Sequence, residues 1–153
     1  MPARVTSLCL ALVLSVAAAF ADPLTGEWRL NLRRTHYGGN ADPRIQETFT
    51  CQPDGERLKC RIDSIRADGR TIVGTFTASY DGKAHPVAGI PDVDQVTLWK
   101  LDEFIADATF SYKGKPVFGY RAIKSDDGRS LAVVSVEPAT RAVGSCVVVY
   151  DRK

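Results

Sequence analysis

Five short stretches punctuate this chain: Pro53-Asp54-Gly55, Ala67-Asp68-Gly69, Tyr80-Asp81-Gly82, Lys113-Gly114 and Asp126-Asp127-Gly128. Asp-Gly pairs tolerate the positive φ angles of tight hairpin turns, so each, flanked by alternating residues, predicts a reversal of the chain. The segments between them, such as RLKCRIDSI, RTIVGTFTASY, DQVTLWKL, FIADATFSY and SLAVVSV, are rich in β-branched and aromatic residues, as strands require. Their apolar positions alternate with polar ones: Leu58, Cys60 and Ile62 against Arg57, Lys59 and Arg61. One face of each strand is therefore dry and the other wet. Helical periodicity is confined to the N-terminal leader. A run of about eight to ten hairpin-linked strands with no long crossover ends as an up-and-down barrel or as a two-sheet sandwich. Closure leaves no edge exposed, so the expected fold is all-β, an antiparallel up-and-down β-barrel.

Ahead of this pattern, Arg4 precedes an apolar run over residues 8–20, and Ala19-Phe20-Ala21 has the small-x-small form of a cleavage site. Residues 1–21 read as a cleaved export signal, leaving residues 22–153 as a single domain. A membrane anchor needs about 20 apolar residues and a stop-transfer flank, whereas this run is shorter and meets Asp22-Pro23. With 20 basic against 18 acidic side chains, the chain lacks the electrostatic footprint of a nucleic-acid binder. The expectation is a periplasmic or secreted monomer with no transmembrane segment.

An exported chain keeps its disulfides. Cys51 and Cys60 flank the first Asp-Gly turn, and joining them also sets Phe49 opposite Ile62 on one face, in agreement with the hydrophobic register. A metal clasp would need further ligands nearby, so a disulfide is expected between these two. Cys146 is left over, and alternation along the final strand puts it outward with Val148 and Tyr150, opposite an inward Val147 and Val149.

Several stretches together resemble small exported bacterial lipocalin-like β-barrel proteins. GEWRLNLRRTHY resembles their opening Gly-x-Trp-x-Leu-Asn motif. YDGKAHPVAGIPDVDQVTL matches their central segment at Tyr80, Asp81, Gly82, Lys83, Pro86, Val87, Gly89, Pro91, Asp94, Val96 and Leu98. SDDGRSLAV and VVVYDRK resemble their final strands. Trp99 departs from the pattern, where a Lys or Arg is usual, and Cys51, Cys60 and Cys146 lie outside it. The resemblance implies an exported barrel whose base is closed by Trp28 and whose interior can hold a small apolar ligand; it implies no activity.

Residues suited to chemistry are few. The two histidines, His36 and His85, lie in what read as loops, with no neighbouring His or Cys for a zinc site and no nucleophile elbow in the chain. No catalytic set, metal site or cofactor is expected. Asp126-Asp127 and Asp102-Glu103 fall at turns, where solvation is the ordinary role. Glu47 shares a strand face with Ile45, Phe49 and Cys51; pointing inward near a strand end, it would stay wet. Arg121 faces either way: inward with Val117, Gly119 and Ile123, to grip an anionic ligand, or outward with Phe118, Tyr120 and Ala122 inside, the preferred phase for an arginine. Trp28, Phe49, Phe76, Phe104 and Phe110 fall on inner faces, as plain core or as the lining of a ligand cavity. Gly74, Ala78, Ala106 and Ala108 on those faces leave room. The irregular stretch RRTHYGGNADPR reads as a connector or as a lid over one barrel mouth.

These features favour a binding protein that carries or sequesters a small apolar or amphipathic ligand, with Trp28, Phe49, Phe76, Phe104, Phe110 and Arg121 as candidate contacts. A cavity of about 300 Å³ or more would favour it. An interaction module, for instance an inhibitor of an extracellular enzyme, is the alternative, and a cyclase- or isomerase-like barrel enzyme a weaker one.

Overall fold

The computed structural model describes residues 22–39 and 42–153; the expected export signal lies outside them. The chain forms β1 (Gly26–Leu30), β2 (Arg44–Asp54), β3 (Arg57–Arg66), β4 (Thr71–Ala78), β5 (Ala84–Ala88), β6 (Gln95–Lys100), β7 (Ile105–Tyr112), β8 (Lys115–Lys124), β9 (Ser130–Val136) and β10 (Val143–Arg152). Each strand pairs antiparallel with the next, and β1 pairs with β10 to close a ten-stranded barrel. Among the described residues no helix is long and apolar enough to cross a membrane.

The turn residues explain the path. Lys113 and Gly114 both take positive φ, 50° and 77°, the two left-handed positions of a type I′ hairpin turn between β7 and β8. The other four predicted reversals also join consecutive strands, at β2–β3, β3–β4, β4–β5 and β8–β9.

The two ends of the barrel differ. At the base, the segment ahead of β1 folds under the opening: the Trp28 indole is fully buried and its Nε1 donates to the Leu24 carbonyl at 2.9 Å. The Tyr80 hydroxyl donates to Asp22 at 3.1 Å, and burial together with that carboxylate pushes the phenol well above its usual pKa. Cys51 and Cys60, both buried in this lower core, face each other across β2–β3 and form the expected disulfide. Closing so short a loop stabilises by about 2–3 kcal/mol. Replacing both cysteines with alanine should lower the free energy of unfolding by about that amount, read from a urea titration, and leave the β-sheet circular dichroism intact.

The phase expected for β10 is reversed. Cys146, Val148 and Tyr150 all point into the core, while Val147 pairs outward with Val134. The pairing of β10 with β9 slips between Val143 and Val147, and Cys146 is a free thiol buried inside. A nearly continuous valine run carries no alternation from which to read a face, so the slip alone decides it.

Candidate functional site

Above the plugged base, the barrel interior holds a cavity of about 110 Å³. Aromatic rings form one wall: Phe76 meets Phe110 edge-on at 6.1 Å, Phe110 packs against Phe118 at 5.0 Å, and Phe118 against Tyr120 at 5.3 Å. Of the expected contacts, Phe49, Phe76 and Phe110 line this space. Trp28 is part of the base plug instead. Phe104 lies in the β6–β7 turn, where Lys124 Nζ sits 5.9 Å above its ring, and it does not reach the cavity.

The space falls short of the roughly 300 Å³ that would favour a carrier because side chains fill much of the barrel, including positions that promised room. Gly74 is such a case: a Cβ there would stand 2.6 Å from Ile90 Cγ1, so the glycine admits Ile90 from the β5–β6 turn rather than a ligand. Ala78 is packed into the lower core, whereas Ala106 and Ala108 do border the cavity. The cavity continues at the mouth into a vestibule of about 640 Å³, and the two spaces share Arg44, Arg66, Ile72, Ile90, Phe118 and Tyr120. The loop between β1 and β2 borders this vestibule through Gly38 and Asp42.

Arg121 lies outside. Its register partner on β7 is Asp107, and the two share the outer face, while Tyr120 and Ala122 point in. Arg121 grips Asp107 through Nε at 2.8 Å and Nη2 at 3.0 Å, and Arg141 also donates to that carboxylate while lying 5.5 Å over the Trp99 ring. Asp107 is only 1% exposed on the outside of the barrel because these two guanidiniums cover it. Arg141 thereby ties the β9–β10 loop to the wall, and neither guanidinium borders the cavity.

Of the two ionised groups inside, Glu47 points inward as alternation predicts, whereas Arg44 does so against it. Alternation from Glu47 predicts Ile45 inward, yet Ile45 is 52% exposed and Arg44 is turned in. The β2–β3 pairing slips between Arg44 and Gln46, a bulge that puts Arg44 and Glu47, three residues apart, on the same side. Arg44 Nε donates to Glu47 at 2.8 Å, and the Tyr150 hydroxyl donates to the other carboxylate oxygen. Arg44 also reaches the Tyr120 hydroxyl at 3.4 Å. Glu47 is thus dry and paired, not wet as expected; its side chain is 4% exposed. Burial opposes the Arg44 charge, but the surrounding oxygens of Tyr150, Glu47 and Tyr120 outweigh it and keep the guanidinium protonated. Burial, followed by the Glu47 carboxylate, pushes the Tyr150 phenol well up, so it remains a neutral donor.

His85 belongs to β5 rather than to a loop, and its Nε2 lies 2.9 Å from Asp81 at the base turn, away from the cavity. His36 makes an isolated bridge to Val147 alongside β10. Among the described residues no three His, Cys, Asp or Glu side chains cluster as metal ligands. The interior therefore offers an apolar, aromatic-walled chamber with a buried Arg44–Glu47–Tyr150 network near its mouth. Comparison with protein-family models, curated proteins and solved structures finds no match for the chain.

Proposed function

We propose that this barrel is an exported binding protein that carries or sequesters a small apolar or amphipathic molecule. The observation that carries the reading is the aromatic-walled cavity opening into a vestibule through a neck that bears Arg44, Arg66 and Tyr120. Apolar space with a few convergent polar groups is the usual form of a small-molecule site. The ligand must be slight, or must leave part of itself in the vestibule: an apolar cavity of about 150 Å³ takes one benzene ring, and this one offers about 110 Å³. The resemblance to small exported lipocalin-like barrels supports the same reading, and the Cys51–Cys60 bridge agrees with an oxidising compartment.

Native mass spectrometry of protein purified from its own host should show a co-purifying small molecule at one per chain. Ala108 borders the cavity, and Ala108→Leu, which fills it, should reduce occupancy by about tenfold or more. Bare protein, together with no binding of the neutral dye N-phenyl-1-naphthylamine by fluorescence, would refute the carrier.

A further inference from the structure

Two buried polar groups on β3 lack hydrogen-bond partners, Ser64 Oγ and Arg66 Nε. They stand two residues apart on the inward face that also carries Cys60 and Ile62. Successive same-face positions lie about 6.6 Å apart along a strand. Ser64 is 2% exposed, and its register partners Glu47 and Ile72 both border the cavity. Arg66 borders the cavity and the vestibule alike, and its side chain is 12% exposed.

The cations at the neck differ in how tightly their acids hold them. Arg44 and Glu47 pair closely inside at 2.8 Å, whereas Arg66 on the cavity wall has its acid, Asp42, only at 3.6 Å. Its Nη1 donates to the Asp42 backbone carbonyl at 3.2 Å. The Asp42 carboxylate stands off at 3.6 Å from Nε, too far for a hydrogen bond, and is shared with Arg70 at 3.0 Å. The Nε–Nη2 edge of Arg66 makes no hydrogen bond among the described residues. That edge presents two parallel N–H donors, the fork that a carboxylate accepts side-on. A buried guanidinium donor without a partner is costly, and an incoming oxyanion would remove that cost.

We propose that the ligand is a monocarboxylate with a short apolar tail: the carboxylate sits on the Nε–Nη2 edge of Arg66, and the tail enters the aromatic chamber. This rests on the reading of the barrel as a small-molecule binder. The half-exposed Asp42 partly occupies the anion's place and is displaced toward Arg70 on binding.

Hexanoate and its neutral counterpart 1-hexanol separate the two levels of the argument when titrated at pH 7 against the folded full-length domain, following the Ala108 and Ile90 methyl signals by NMR. Hexanoate should bind about 10- to 100-fold more tightly than hexanol. Arg66→Gln should erase that preference while leaving hexanol affinity within about twofold, and Asp42→Asn should strengthen hexanoate alone. Arg66→Lys, which keeps the charge but loses the fork, should recover only part of the preference and serves if the glutamine variant does not fold. Equal affinity for hexanoate and hexanol overturns the carboxylate site and leaves the carrier standing. A preference for hexanoate that survives both Arg66 variants also overturns this site. Failure of both compounds to bind overturns both readings.

Discussion

Glu47→Ala is expected to destabilise the barrel by about 3–5 kcal/mol, because it leaves the Arg44 guanidinium in the interior without its carboxylate. Both partners are almost wholly buried, Arg44 at 10% and Glu47 at 4% side-chain exposure, and the Tyr150 hydroxyl loses its acceptor at the same time. The neighbouring Tyr120 hydroxyl, 3.4 Å from Arg44, cannot balance a full charge. The check is the midpoint of a urea unfolding curve, with the slope unchanged if the native fold is kept. A second variant tells the cost of an orphaned charge from the worth of the pair. Replacing Arg44 with Met and Glu47 with Leu together removes both charges and should return stability to within about 1–2 kcal/mol of the parent, since an apolar pair of similar size often replaces a buried ion pair without loss. A double variant as unstable as Glu47→Ala would show that the network supports the fold through its hydrogen bonds, not merely through charge balance.

The base should be as sensitive. Trp28→Ala removes a fully buried indole and its hydrogen bond to the Leu24 carbonyl, at an expected cost of about 3–5 kcal/mol. The loss also reaches the surface, where Arg152 lies 5.2 Å over the same ring. In a domain of this size that corresponds to a fall in Tm on the order of 10–20 °C, readable by scanning calorimetry. Trp28→Phe keeps most of the area but not the donor, and should cost less than half as much. Equal losses from the two substitutions would mean that the indole N–H, not its bulk, holds the plug.

The fold was legible because its determinants are local. Each Asp-Gly reversal is written in two adjacent residues, and the Cys51–Cys60 register follows from positions flanking one turn. The aromatic wall was legible in part: Phe49, Phe76 and Phe110 sit where simple alternation puts them. What alternation could not supply was phase across a bulge. The slip after Arg44 turns that arginine in and Ile45 out, and the slip ahead of Val147 turns Cys146 and Tyr150 in. Both slips are set by pairing with a neighbouring strand, a non-local fact that no property of RIQETF or VGSCVVVY announces. Arg121 was the arginine that attracted notice, yet its phase is regular, and its charge is taken up by Asp107 on the outer wall. The polar neck is thus assembled by β2 and β10, each shifted by a slip, together with the end of β3 and Tyr120 of β8. Glu47, in phase with Phe49 and Cys51, was the available hint.

Closure of the barrel also sets an order of events. Nine of the ten strand pairings join neighbours along the chain, and only β1 with β10 brings distant segments together. Lys153 and Glu27, whose side chains meet at that seam at 2.6 Å, are 126 positions apart, against 9 for Cys51 and Cys60. Holding the longer loop costs roughly 2 kcal/mol more chain entropy than the shorter one. A polypeptide delivered from its N-terminal end can therefore zip its hairpins in sequence while β1 waits with one edge unmatched. The Trp28 plug, which stands opposite Arg152 across the seam, is completed only when β10 arrives. Until then the open edge of β1 is the place where a second chain could add, so the interval before β10 docks is the aggregation-sensitive period of the molecule's life.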